Sequence, residues 1–123
     1  MKQIMIQAGD LKILAQINES ETAQAVWDIL PITGSASVWG DEIYFSLPVK
    51  HSEADDAIAE VEVGTLAYWP PGSAFCIFWG PTPVSTSDKP KAYSPVNILG
   101  EIIGDATLFK TVKPGQSVTL SAN

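Results

Sequence analysis

Residues 64–83 read GTLAYWPPGSAFCIFWGPTP. Two apolar runs, GTLAYW and SAFCIFW, flank Pro70-Pro71-Gly72, and two such runs across a tight turn predict a β-hairpin. Proline at the second turn position and glycine at the third suit a type II turn, with positive φ at Gly72. Successive side chains of a strand point to opposite faces. Phe75, Ile77 and Trp79 therefore share one face of the second run, and Ala74, Cys76 and Phe78 share the other. Both faces are apolar, which a strand with a solvated outer side does not require. Something must cover the second face: a helix, the loop at 81–95, a ligand or peptide, or a second subunit.

Outward from this hairpin the chain continues to read as strand and turn. QIMIQ (3–7) and LKILAQI (11–17) flank Ala8-Gly9-Asp10, and SASVW (35–39) and EIYFSLPV (42–49) flank Gly40-Asp41; both are hairpin signatures. Between them, Ala23, Val26, Trp27 and Leu30 follow helical spacing. The spacing predicts a helix over 20–30, capped by Asn18 or Ser20 and ended by Pro31 and Gly34. KHSEADDAIAE (50–60) is polar, with room for a single helical turn, and residues 81–95 read as a long Pro/Ser-rich loop. VNILGEII is a further strand, DATLFKTV a short helix, and QSVTLSA the closing strand. About eight strands with one good helix and one short helix predict a mainly β fold, a closed barrel with helices over its ends. The length of 123 residues fits one domain, 1–123.

Charge narrows the partners. Fourteen acidic residues stand against seven basic ones, all lysines, and there is no arginine. A phosphate backbone requires a basic surface, so nucleic acid and anionic membranes are excluded as partners. No apolar run is long enough to span a bilayer. MKQIMIQAGD turns polar too soon for a signal peptide, and a lone cysteine forms no internal disulfide, so a cytoplasmic setting is expected.

The order of these segments resembles that of a cyclophilin. QAGDLKILAQI and the following helix are similar to the cyclophilin opening, and EIYFS falls where that family carries a strand ending in Phe-His-Arg. GTLAYW resembles its glycine-led strand, GSAFCIFWGPTP its Gly-Ser-Gln-Phe-Phe-Ile strand, and VNILGEIIGDATLFKTV its Val-Phe-Gly segment with the helix after it. The nearer resemblance is to a small prokaryotic group of cyclophilin-like proteins that combine WGDEIYF-type, YWPPG-type and Asn-x-x-Gly segments, here 39–45, 68–72 and 97–100. The resemblance implies the cyclophilin-like barrel, and no particular reaction.

Prolyl isomerisation must cross a rotational barrier of about 18–20 kcal/mol. Cyclophilins lower it with a proline pocket and an arginine that hydrogen-bonds the twisting amide. Matched residue by residue, Phe-His-Arg becomes Phe45-Ser46-Leu47, the glutamine becomes Ala74, and the pocket phenylalanine becomes Cys76. Lysine is a point charge and does not replace the planar fork. The resemblance therefore extends to the scaffold and not to the catalytic residues.

The candidate binding residues are Glu42, Tyr44, Trp69, Cys76 and Phe78. Cys76 and Phe78 follow from strand alternation, and Trp69 from its place across the turn. Glu42 and Tyr44 enter through the resemblance, which sets the EIYFS strand beside the same groove, where they would orient a ligand. The competing reading of Glu42 is a solvated hairpin end. Cys76 reads as a buried structural thiol, because a nucleophile needs a nearby base and His51, the one histidine, lies in a polar loop. His51 with Glu53, Asp55 and Asp56 reads as a solvated face, and no metal or cofactor is expected. The favoured function is a binding protein that takes a small molecule or peptide segment in an apolar groove, as a monomer or weak homo-oligomer. The alternatives are a weak or altered prolyl isomerase and a protein–protein interaction module.

Overall fold

The computed structural model describes residues 1–123. The first hairpin pairs β1 (Lys2–Ala8) with β2 (Leu11–Ile17) through seven antiparallel partners, with Gly9 at φ +61° in the turn. Helix α1 (Glu21–Asp28) follows, shorter than the expected 20–30. Ser20 caps it, its Oγ accepting from the Ala23 N–H at 3.2 Å, and Asn18 Oδ1 in turn accepts from the Ser20 hydroxyl at 2.6 Å. Both cap candidates are thus engaged. Val26 and Ala23 are buried, whereas Trp27 is half-buried with the Lys2 ammonium 5.4 Å from its ring.

The remaining strands are β3 (Ile32–Ser35), β4 (Ser37–Trp39), β5 (Glu42–Ser46), β6 (Ile58–Glu60), β7 (Thr65–Trp69), β8 (Ala74–Phe78), β9 (Lys91–Ile102) and β10 (Ser117–Ala122). All ten belong to one antiparallel system ordered β3-β10-β1-β2-β9-β7-β8-β5-β4, with β6 branching from β9. The strand count exceeds the expected eight by the short β3 and β6, of four and three residues. The expected closed barrel is not formed. Its two end strands, β3 and β4, are separated in the chain by Ala36 alone but do not pair with each other. Ala36 instead gives its N–H to Gln116 O and accepts from Gly115 N–H, both at 2.8 Å, which uses its backbone groups on the approach to β10. No helix is long and apolar enough to cross a membrane.

Other expectations are refined. Residues 50–60 hold one tight turn at Asp55-Asp56, closed by the Ala57 N–H donating to Ala54 O at 3.1 Å, before they enter β6. The loop after β8 ends at Pro90, because 91–95 begin the twelve-residue β9. Pro95 is tolerated there since the β6–β9 register slips between Ile58 and Glu60, whose partners are Val96 and Lys91, so it falls in the irregular stretch. Pro70–Gly72 form a 3₁₀ turn, and the left-handed residue is Ser73 at φ 48° rather than Gly72. Gly72 is required for a different reason: a Cβ there would come within 2.7 Å of the Trp69 ring. A second 3₁₀ segment, Ala106–Thr111, stands where the short helix was expected, with Asp105 accepting from the Thr107 N–H.

The core has two sides. An inner cluster of 24 buried residues includes Phe45, Tyr68, Phe75, Ile77 and Leu99. A smaller outer cluster of seven holds Val61, Ala67, Ala74, Cys76, Phe78, Ala92 and Val96. The predicted division of β8 is thus observed, with Phe75 and Ile77 inside and Ala74, Cys76 and Phe78 outside. The N-terminal half of β9 supplies part of the cover for the outer face.

β9 joins the halves of the sheet, pairing β2 through Gly100–Ile102 and β7 through Asn97–Glu101. Asn97, 2 % exposed, accepts from the Ala54 N–H at 2.8 Å and donates to Ser52 O and Thr22 Oγ1, which fastens the 52–54 loop and α1 to this strand. At Gly100 a Cβ would lie 2.0 Å from the Gln16 carbonyl oxygen and 2.8 Å from Ile17 Cα, both backbone atoms. Gly100→Ala should therefore force the β2–β9 seam apart and cost about 3 kcal/mol or more, beyond ordinary overpacking. Urea denaturation checks this; a loss below about 1 kcal/mol would mean that the seam yields freely.

Candidate functional site

The outer face of the β5–β8–β7 region carries a concave hollow of about 310 Å³. Register explains its composition. Across the β4–β5 hairpin Trp39 pairs with Glu42, and across β5–β8 Tyr44 pairs with Cys76. Across β7–β8 Trp69 pairs with Ala74. These six residues line the hollow, and Ala92, Tyr93 and Val96 of β9 complete it. Eight of the nine are apolar or aromatic; Glu42 is the exception.

Four of the five residues singled out in the sequence, Glu42, Tyr44, Trp69 and Cys76, come together here. Phe78 does not line the hollow: it is fully buried in the outer cluster, opposite Glu42 in the β5–β8 register. Trp39, Ala74, Ala92, Tyr93 and Val96 were not singled out, although alternation along β8 had placed Ala74 on the same face as Cys76. Trp39 was within reach of a sequence reading, because a two-residue turn at Gly40-Asp41 makes it the cross-strand partner of Glu42. Ala92 and Tyr93 carried no such signal, since Pro90 and Pro95 disguised that part of β9 as loop, and Val96 lay in the expected strand without being singled out.

Trp69 is fixed on two sides. Its Nε1 donates to Ser94 Oγ at 2.7 Å, and its ring lies against Gly72, where a Cβ would intrude. Glu42 is 5 % exposed, which overturns the solvated-hairpin reading. The one ion pair of the chain, Lys89 with Glu62 at 2.8 Å, lies elsewhere on exposed side chains. Burial disfavours the ionised form and pushes the Glu42 carboxyl from 4.5 up to about 7, and hydrogen bonding with the Cys76 thiol offsets only part of this. Cys76 is 2 % exposed, and its thiol is pushed well above the usual range, first by burial and then by the Glu42 carboxyl. A thiol so placed is a poor nucleophile. His51 belongs to another region: its Nδ1 lies 3.2 Å from Thr22 Oγ1, and its backbone N–H donates to the Tyr68 hydroxyl. No group of three or more His, Cys, Asp or Glu side chains gathers closely enough to ligate a metal.

Leu47, matched to the cyclophilin arginine, is buried in the inner cluster and faces away from the hollow. The groove side of β5 carries Glu42 and Tyr44 instead. An apolar hollow on the outer face of a mainly β sheet, with no guanidinium in the chain, defines a cyclophilin-like scaffold without the arginine-based catalytic set. The chain belongs to the Cyclophilin-like family, whose model matches residues 2–121. It is also similar in structure to a hypothetical protein from Archaeoglobus fulgidus known from a solution structure. The two chains share 35 % identity with a TM-score of 0.83, over 99 % of this chain and 95 % of the other. No curated protein matches the sequence.

The raised Glu42 value has a consequence for stability. The folded state holds its proton to about 7 and the unfolded chain releases it near 4.5, so between these values the native protein binds more protons. Stability from this group is fully present below pH 4.5 and is lost as pH rises through 7. Glu42→Gln, permanently neutral, should match wild type near pH 4 and exceed it by about 3 kcal/mol at pH 8. Urea midpoints across that range test this; a parallel pH dependence in both proteins would exclude a buried, desolvated Glu42. Cys76 should react with a small disulfide reagent far more slowly in the folded protein than in urea, and equal rates would mean that the thiol is open to solvent.

Proposed function

We propose that the protein is a non-catalytic binding module that takes a small molecule, or the side chain of a peptide segment, in the hollow between Trp39, Trp69 and Tyr93. The observation that carries this reading is the composition of the hollow: about 310 Å³ of largely apolar and aromatic wall around one buried carboxyl. A concave, mostly apolar pocket with few polar groups is the usual form of a small-molecule site. The Trp69 indole, held by Ser94 and Gly72, supports it as a preorganised wall, which lowers the entropic cost of binding.

Prolyl isomerisation as cyclophilins perform it is not part of this reading. Neither Glu42 nor Tyr44 supplies the planar multiple donor that an arginine presents to a twisting amide. We further propose that the module works in the cytoplasm as a monomer or weak homo-oligomer, consistent with one buried cysteine and a net charge of −7.

Titration of ¹⁵N-labelled protein with small aromatic, aliphatic and proline-containing fragments should shift the indole N–H signals of Trp39 and Trp69 saturably. Ala92→Leu, which fills the hollow from β9, should abolish the shifts while leaving the rest of the spectrum folded. Fragments that never shift these indoles would refute the binding reading. An Ala-Pro peptide should isomerise no faster with the protein than without it, and a rate equal to that of a cyclophilin at the same concentration would refute the non-catalytic half.

A further inference from the structure

Three strands set three rings around the mouth of the hollow. Trp39 of β4 and Trp69 of β7 each meet Tyr93 of β9 edge to face, with centroids 6.3 Å apart and ring planes crossing at 69° and 89°. Rings at such angles form walls rather than a stack. Both tryptophans are half-buried and Tyr93 is 74 % exposed, so it forms the lip. Tyr44 adds a fourth ring from β5.

Within the same wall is Glu42, 95 % buried by its 5 % exposure, with no lysine paired to it and no arginine in the chain to do so. A buried carboxyl without a cationic partner is destabilising, and its ionised form most of all. Aromatic faces attract a cation within about 6 Å of the ring centroid, more strongly when it is desolvated. Carboxyl and rings thus favour positive charge in one small space, and neither favours an anion. The net charge of −7 adds a general attraction for cations.

We propose that the hollow binds an N-alkylated ammonium group, a protonated secondary or tertiary amine, with its alkyl carbons against Trp39, Trp69 and Tyr93 and its N–H on the Glu42 carboxylate. The proposal rests on the binding reading above and specifies the ligand chemistry of that site. Alkylation matters because a primary ammonium brings three N–H donors. The wall offers Glu42 as its one charged acceptor among apolar and aromatic side chains, so extra donors would be left unpaired at a cost. A secondary or tertiary amine replaces them with carbon that packs on the rings. A cation seated beside Glu42 also supplies the partner the carboxyl lacks, favouring the ionised form that burial alone resists.

The test compares N,N-dimethylbenzylammonium with benzyl alcohol, a neutral ligand with the same ring, by following the indole N–H signals of Trp39 and Trp69. The ammonium should bind about tenfold tighter or more. Glu42→Gln should bring the two affinities to within about threefold by weakening the ammonium alone. Tyr93→Leu, at an exposed position that leaves the fold intact, should also weaken the ammonium more than the alcohol. Benzyl alcohol binding as tightly as the ammonium, or a preference that survives Glu42→Gln, overturns the cation assignment and leaves the apolar-groove reading standing. If neither probe shifts the indoles at millimolar concentration, both readings fall.

Discussion

The sheet depends on the approach of β9 to β2 at Gly100. There the strand runs so close to its neighbour that a single Cβ would meet the Gln16 carbonyl oxygen at 2.0 Å. The contact lets one strand serve the β1–β2 hairpin on one side and β7 on the other, so the order β10-β1-β2 is joined to β7-β8-β5 through β9 alone. The Asn18 side chain strengthens the seam, donating to Ile98 O at 2.9 Å, while the Asn18 backbone N–H donates to Leu99 O at 2.7 Å. Buried backbone groups must find partners, and at this seam they do so without any side chain intervening at Gly100.

The same strand shapes the hollow. Beyond Asn97, towards its N-terminal end, β9 pairs with β6 and carries Ala92, Tyr93, Ser94 and Val96 across the outer face of β7 and β8. This cover is incomplete. It buries Phe78 and Cys76 but leaves a recess where Ala74 and Ala92 contribute only methyl groups. Large rings at the rim and small residues on the wall create the concavity. Glu42 is drawn into it because the register sets Trp39 and Phe78 directly beside it on the two neighbouring strands, which leaves it 5 % exposed. Its proton affinity follows from that placement.

Family membership and chemistry separate at β5. The inward residues Ile43 and Phe45 of this strand, and Leu47 just beyond its end, all belong to the inner core. The resemblance matched Leu47 to a groove arginine, while its side chain lies on the opposite face from Glu42 and Tyr44. The scaffold therefore presents a carboxyl and aromatic rings on its outer face, where the matched arginine is absent.

Local pattern was enough to determine several features. The hairpins at Gly9-Asp10 and Gly40-Asp41, the capped helix and the two apolar faces of β8 each depend on neighbours a few residues apart, where turn chemistry and alternation act directly. Trp69 and Cys76 were also legible, from the turn and from strand alternation, whereas Glu42 and Tyr44 were reached only through the family resemblance that sets their strand beside the groove. What only the tertiary structure decided involves contacts across long sequence separations. Ser73 rather than Gly72 takes the left-handed conformation because Pro70–Gly72 close as a 3₁₀ turn with Ser73 as its C-cap, its N–H donating to Pro70 O. Residues 91–95 are strand despite Pro90 and Pro95 because they lie over β7 and beside β6. The end strands β3 and β4 do not pair with each other because Ala36, the one residue between them, is too short a link for a hairpin turn, and its own hydrogen bonds go to Gly115 and Gln116. Glu42 is buried because Trp39, Phe78 and Cys76 reach it from other strands, and desolvation by distant neighbours leaves no mark on the sequence around it.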